Sequence, residues 1–178
     1  QVRHESTAQF FVDGEWVTGD NEAIPVLDPA TGQAICAVGS AAESQVDRAV
    51  LAARRSFDNQ LWAGMRPDQR AIALHRWADL VERDQQVLSE LETIQTGKPI
   101  RESRIDVARA LDGIRFYAAA ARNIYGDLIN ISSGYHTYML RQPLGVVAAI
   151  VPWNVPIVLT VSKVAPALAA GNSVVVKP

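Results

Sequence analysis

One cysteine, Cys36, stands among 178 residues, so no internal disulfide is available and a reducing compartment, the cytoplasm, is the default expectation. No Cys and His lie at metal-ligand spacing, and no metal site is expected. An excess of one charge is also missing. Lys and Arg number 17 against 19 Asp and Glu, a formal charge of -2 without a block of either sign, which argues against a nucleic-acid partner. The opening QVRHESTAQFFVDGEW lacks an apolar core of signal-peptide length. No run approaches membrane-spanning length either, because the longest apolar tract, residues 144–159, is broken by Gly145, Pro152, Asn154 and Pro156. Nor does any G-x-G-x-x-G occur, so the usual dinucleotide fingerprint is absent.

What is present reads as globular, with 48% of residues apolar and 20% charged, enough for one domain of ordinary size or one and a part. FFVDGEWVTG alternates aromatic and β-branched residues around Asp13-Gly14, a hairpin-turn dipeptide. IPVLDPATGQAICAVGSA adds turn signals at Asp28-Pro29 and Thr31-Gly32, so the first forty residues are expected to be β-rich. Cys36 lies inside AICAV without a basic neighbour to lower its pKa, and it reads as a small buried hydrophobe.

Helical periodicity follows. Val46, Ala49, Val50, Ala53 and Phe57 mark one helix face, with Ser40 and Glu43 as a capping box before it. Pro67 suits the first turn of a second helix with Ile72, Leu74, Trp77, Leu80 and Val81 on its apolar side. Asp84 can cap a third, which Gly97 terminates in the left-handed region before Pro99. A fourth runs through RESRIDVARALDGIRFYAAAARN and places Ile105, Ala108, Leu111 and Phe116 broadly on one side.

After Gly126 the period changes to two. LINIS, Ser133-Gly134 and YHTYMLRQPLG read as a hairpin of two long strands, which must pack on something because a lone ribbon is marginal. His136 reads as a surface strand residue. LGVVAAIVP and SVVVKP are continuous apolar strands of the sort buried on both faces, and the helix between them starts at Pro156 and stops before Gly171. Strand, helix and strand at this length make a right-handed βαβ crossover, hence a parallel sheet of the doubly wound type. The stretch holds too few strands to finish such a sheet, and its completion by further sequence or another chain is expected.

In doubly wound sheets, ligands bind at the carboxyl ends of the strands. VPWNVP occupies that turn, and Lys177 ends the next strand. Taken alone, Asn154 reads as a helix N-cap.

The segment PWNVPIVLTVSKVAPALAAGNSVVVKP resembles the aldehyde dehydrogenase superfamily, and the similarity extends through ETIQTGKP, RFYAAAARN and RQPLGVV. Within it, the group acting on small and betaine-type aldehydes is the nearest match. The resemblance implies an α/β fold with a helical amino-terminal layer (1–123), an oligomerisation β-hairpin (124–144) and the first βαβ of an incomplete doubly wound sheet (145–178). It further implies oxidation of an aldehyde with NAD or NADP through a thioester on a cysteine outside these residues, in a homodimer or homotetramer. These residues alone are expected to be inactive, since Cys36 is in the wrong region.

By the same resemblance, Asn154 is the oxyanion-hole amide, and Ile150, Val151, Pro152, Trp153, Asn154 and Lys177 form the cofactor-binding set. An Asn suits that task because it donates N–H without a charge that would trap the ground state. For Val151 core packing is the better reading, and Lys177 ending SVVV is expected to be shielded. Lys163 matches a charge-relay position, with snorkelling or pairing to an acid as the structural alternative. Gln95 stands where the family often has an Asp near a monovalent cation, and a neutral amide is a poorer cation ligand. The rival expectation is a non-catalytic fragment that assembles with a partner chain.

Overall fold

The computed structural model describes residues 7–132 and 134–178. Residues 1–6, part of the opening stretch read for a signal peptide, lie outside the described residues, as does Ser133 of the expected Ser133-Gly134 turn. Two small β units come first. β1 (Thr7–Ala8) pairs in parallel with β5, while β2 (Phe10–Val12) and β3 (Glu15–Val17) form the expected hairpin. Asp13 and Gly14 both take positive φ, 56° and 84°, the primed turn whose twist matches a two-residue hairpin. β4 (Asn21–Leu27) runs antiparallel to β5 (Ala34–Ser40), setting Val26 opposite Cys36.

Four helices then form the bulk: α1 (Glu43–Asp58), α2 (Pro67–Arg83), α3 (Gln85–Thr96) and α4 (Ile100–Ala120), the last ending in a 3-10 turn. Their boundaries follow the Pro and Gly signals, but several faces and caps differ from expectation. Helix α1 starts two residues later than the Ser40–Glu43 box, and Gln45 accepts the Ala42 and Asp20 N–H groups at 3.0 and 2.9 Å. Its inner face carries Gln45, Ala49, Ala53 and Phe57, while Val46 and Val50 are exposed. Ile72 and Leu80 of α2 are exposed as well; Leu74 and Val81 are buried as expected, joined by Ala71 and Ala78. Asp84 does not cap α3 with its side chain; its carboxylate binds Arg83.

The largest correction falls on α4. Of the expected face only Leu111 is buried; Ile105, Ala108 and Phe116 point to solvent, and Ser103, Asp106, Val107, Ala110, Ile114 and Ala118 face inward. Both sets have helical spacing. The inward set wins because α2 and a later helix, α5 (Pro156–Ala169), approach closely over alanines, and its polar members find hydrogen-bond partners. The core is accordingly a junction of α2, α4 and α5, built from Ala78, Val81, Val107, Ala110, Ile114, Val161 and Ala165, with Trp77 and Tyr117 at its margin.

The expected long-stranded hairpin is short. β6 (Asp127–Ile129) and β7 (Thr137–Met139) pair over three residues each, and His136 precedes β7 in an extended loop. No third strand supports the ribbon among the described residues, so its outer positions do not hold a ladder. Leu128, Ile131, Tyr135, Tyr138 and Leu140 are all exposed on it.

β8 (Val146–Ile150), α5 (Pro156–Ala169) and β9 (Ser173–Lys177) form the expected parallel βαβ, in register from Val146 opposite Ser173 to Ile150 opposite Lys177. Burial on both faces is not realised: Ala149 and Val151 are covered, but Ile150 is 67% exposed, since only α1 and α5 lie against the pair among the described residues. No described helix is long and apolar enough to cross a membrane.

Candidate functional site at the end of β8

The site begins where β8 leaves the sheet. The Val151 N–H donates to the Lys177 carbonyl at 2.9 Å, one step beyond the last strand pair, and Pro152 then ends the ladder because it has no N–H. Pro152, Trp153 and Asn154 make an exposed turn, and α5 starts at Pro156, the position where its fixed φ suits a helix. The N-cap residue of α5 is Val155, without a side-chain cap. Asn154 is therefore not the helix cap, and its amide is exposed with no hydrogen bond to the described residues.

A cleft of about 290 Å³ lies beside this turn. Val151, Pro152, Trp153, Pro156 and Thr160 line one side; Val26 of β4 and Gln95 and Thr96 at the end of α3 line the other. Val151 thus both packs, at 4% exposure, and lines the cleft. Trp153 is 81% exposed, and Ile150 stands at the strand end without lining the cleft. Lys177 is exposed, contrary to the expectation of a shielded side chain, because a β9 terminus leaves its long stem free of covering elements. Lys163 is exposed on α5 and has no ion-pair partner among the described residues, so the pairing alternative is not realised. Asn154 precedes α5 rather than lying on it, so helical counting does not fix its relation to Lys163.

Sequence reasoning missed the groups that hold this site. At the opposite end of the βαβ unit, buried Asn172 accepts the Gly145 N–H at 3.0 Å and donates to the Ala167 carbonyl at 3.1 Å. Arg70, buried on α2, donates to the carbonyls of Ala169 at 3.2 Å and Met65 at 2.5 Å, and burial holds its guanidinium below the usual value. The Trp62 indole N–H reaches the Leu168 carbonyl at 2.8 Å. The last turn of α5 is thereby held from three directions.

Behind the Gln95–Thr96 wall lies a buried charge cluster. Lys98 Nζ sits 2.6 Å from Glu92 Oε1 and 2.8 Å from Asp106 Oδ2, with Arg109 more distant at 3.4 Å from Asp106. Burial pushes the Glu92 carboxyl above its ordinary range by more than Lys98 pulls it down. Burial also lowers the Lys98 ammonium, but the hydrogen bonds it donates to Asp106 and Glu92 outweigh that and leave it raised. The αL Gly97 after a helix, followed by a lysine, was the available signal for this cluster. A second cleft, about 500 Å³ and lined by His75, Arg122, Asn123 and Tyr125, contains none of the expected site residues.

A parallel βαβ whose strand ends open onto a cleft defines the class as an α/β protein of the nucleotide-binding type. The aldehyde dehydrogenase family profile matches residues 16–178. The chain is 42% identical over 96% of its length to the NADP/NAD-dependent aldehyde dehydrogenase PuuC of Escherichia coli, covering 35% of that protein. It is 38% identical, again over 96%, to human retinal dehydrogenase 2, covering 33% of it. Among solved structures, a double mutant of betaine aldehyde dehydrogenase from Staphylococcus aureus in complex with NAD+ superposes with a TM-score of 0.94 at 32% identity, over 99% of this chain and 36% of that one. The chain belongs to the aldehyde dehydrogenase family. It spans about a third of the length of these relatives.

Proposed function

We propose that this chain contributes the oxyanion amide and part of the cofactor cleft to an NAD(P)-dependent aldehyde dehydrogenase. The observation that carries this is Asn154: exposed, uncapped and held between two prolines at the carboxyl end of β8. The two prolines restrict the backbone where the turn begins and ends, which frames Asn154 at the strand end with an amide N–H free for an oxygen that gains charge. That oxygen belongs to the tetrahedral adduct of an aldehyde with a cysteine thiolate outside these residues, since Cys36 lies within β5.

The cleft fits a dinucleotide in part. It offers the flat face of Trp153 and the aliphatic surfaces of Val151 and Pro152; Lys177, outside the lining, stands at the neighbouring strand end opposite Ile150 in the register. NAD or NADP bound there supplies the hydride acceptor. Trp153 and Pro152 would shield one side of it from water, Ile150 and Val151 would support it from the strand end, and Lys177 would be its hydrogen-bond donor. Lys163 is the second catalytic candidate, as a charge relay, and Lys163→Gln with kcat unchanged removes it.

Residues 1–123 are the amino-terminal part of the cofactor-binding domain, a β-rich start followed by helices, with 124–144 the oligomerisation arm and 145–178 the opening of the sheet. The arm's exposed Leu128, Tyr138 and Leu140 favour burial against a second copy, in a homodimer or homotetramer. A cytoplasmic setting accords with the single free cysteine. The same exposed surfaces favour a second reading, a non-catalytic piece that assembles with a partner chain. Assaying the complete protein with an aldehyde panel and each cofactor separates the two: cofactor reduction supports the enzyme, and none at all supports the assembly piece.

A further inference from the structure

Lys98 is the one cation deep in a cluster that holds two carboxylates, and it comes from neither of the helices that supply them. It follows Gly97, which ends α3 at φ 74°, while Glu92 lies one turn back on α3 and Asp106 two turns into α4. The Lys98 side chain is 16% exposed, Glu92 3% and Asp106 11%. Its ammonium therefore ties the α3–α4 turn to both helices at once. Thr96 is bound into the same turn, its hydroxyl donating to the Glu92 carbonyl at 2.6 Å. Thr93 and Ser103 add a hydroxyl pair between the helices at 2.7 Å. On its outer side the turn touches Pro29 of the β4–β5 loop, where a Cβ on Gly97 would lie 2.7 Å from the proline ring. The turn is thus fixed from behind by charge and from the side by contact, and what it presents forward is Gln95 and Thr96, the cleft wall facing Trp153.

We propose that Lys98 is a positioning residue for the cofactor cleft: it holds the Gln95–Thr96 wall at the distance from Trp153 that the bound cofactor needs. This rests on the cofactor reading of the cleft. The physical reason is the balance of charge. Without the ammonium, buried Glu92 faces Asp106 with no cation of its own, since the outlying Arg109 reaches only Asp106, and the turn must open to hydrate it. A wall that has to be reordered on each binding event costs affinity without touching the reacting atoms.

The test uses the complete enzyme and three variants, Lys98→Met, Lys98→Met with Glu92→Gln, and Lys98→Arg. Dissociation constants for NADH and NADPH are measured by fluorescence, with kcat at saturating cofactor and hydrogen exchange across residues 93–99. For Lys98→Met the expectation is about a tenfold weaker cofactor, less than about a threefold change in kcat, and faster exchange confined to the turn. Glu92→Gln in the same chain removes the uncompensated charge and restores most of the affinity, as does Lys98→Arg. A merely structural role would not be rescued by deleting a second partner. Unchanged affinity with faster exchange overturns the proposal, as does failure of both rescues. If the unaltered enzyme binds neither dinucleotide, the cofactor reading itself fails, while the exchange data still decide whether Lys98 holds the wall.

Discussion

At one end of the β8–α5–β9 unit, Asn172, Arg70 and Trp62 saturate the carbonyls and amides of the last helical turn inside the protein. At the other end, the first turn of α5 has no side-chain cap, and Asn154 and Trp153 stand in solvent beside a cleft. The same helix is closed at its base and open at its mouth. Hydrogen bonding is concentrated at the base, and a polar group is left unpaired at the mouth, where the proposed chemistry lies.

The largest way to break this contrast is Asn154→Ala. In the complete enzyme it is expected to lower kcat by about 100- to 1,000-fold in steady-state kinetics, with thermal stability nearly unchanged. A loss below about threefold would remove Asn154 from the mechanism. At the closed end the reverse is expected. Asn172→Ala leaves the Gly145 N–H buried without its partner, while the Ala167 carbonyl keeps only the backbone N–H of residue 172, and urea unfolding should show a loss of about 2 kcal/mol. If Asn172→Ala instead proves as stable as the parent, the base of the unit is not the anchor described. Gly97→Ala, at the turn that walls the cleft, combines a side chain at positive φ with a close approach to Pro29, and a loss of about 1 to 2 kcal/mol is expected by the same measurement.

The smallest effect concerns pH. Glu92 has its carboxyl raised above the ordinary 4.5, so its contribution favours the folded state below 4.5 and is lost as pH rises through the raised folded value. Glu92→Gln should therefore remove that slope from a stability-against-pH curve while changing neutral-pH stability by less than about 1 kcal/mol. A steeper slope in the variant would show that Lys98, not burial, governs the group.

Much of the architecture was readable from punctuation. Pro67, Gly97, Pro156 and Gly171 sit at helix ends where their dihedral needs place them, and Asp13-Gly14 makes the primed turn that its composition demands. Helix faces were less readable. Periodicity alone cannot choose between two faces of α4, and bulk pointed to Ile105 and Phe116, whereas close packing against α2 and α5 selected the alanines. The site followed the same division. Asn154 and Trp153 are marked by the flanking prolines, and Gly97 followed by Lys98 hints at the charge cluster, but Asn172 and Arg70 act through contacts 27 and 99 residues away in sequence, to which no local pattern points.

The Asn172 bridge also sets what kinds of length change this chain can accept. Because it ties the start of β8 to the end of α5, the helix behaves as a lever with a fixed pivot. One residue inserted within α5 would advance its far end by about 1.5 Å and turn it by about 100°, swinging Pro156 and the turn before it away from the strand end. The same insertion between β6 and β7 would lengthen a loop and leave the cleft where it is. Among descendants of this sequence, the hairpin tip is free to grow or shrink, whereas the stretch from Pro156 to Gly171 must keep its count.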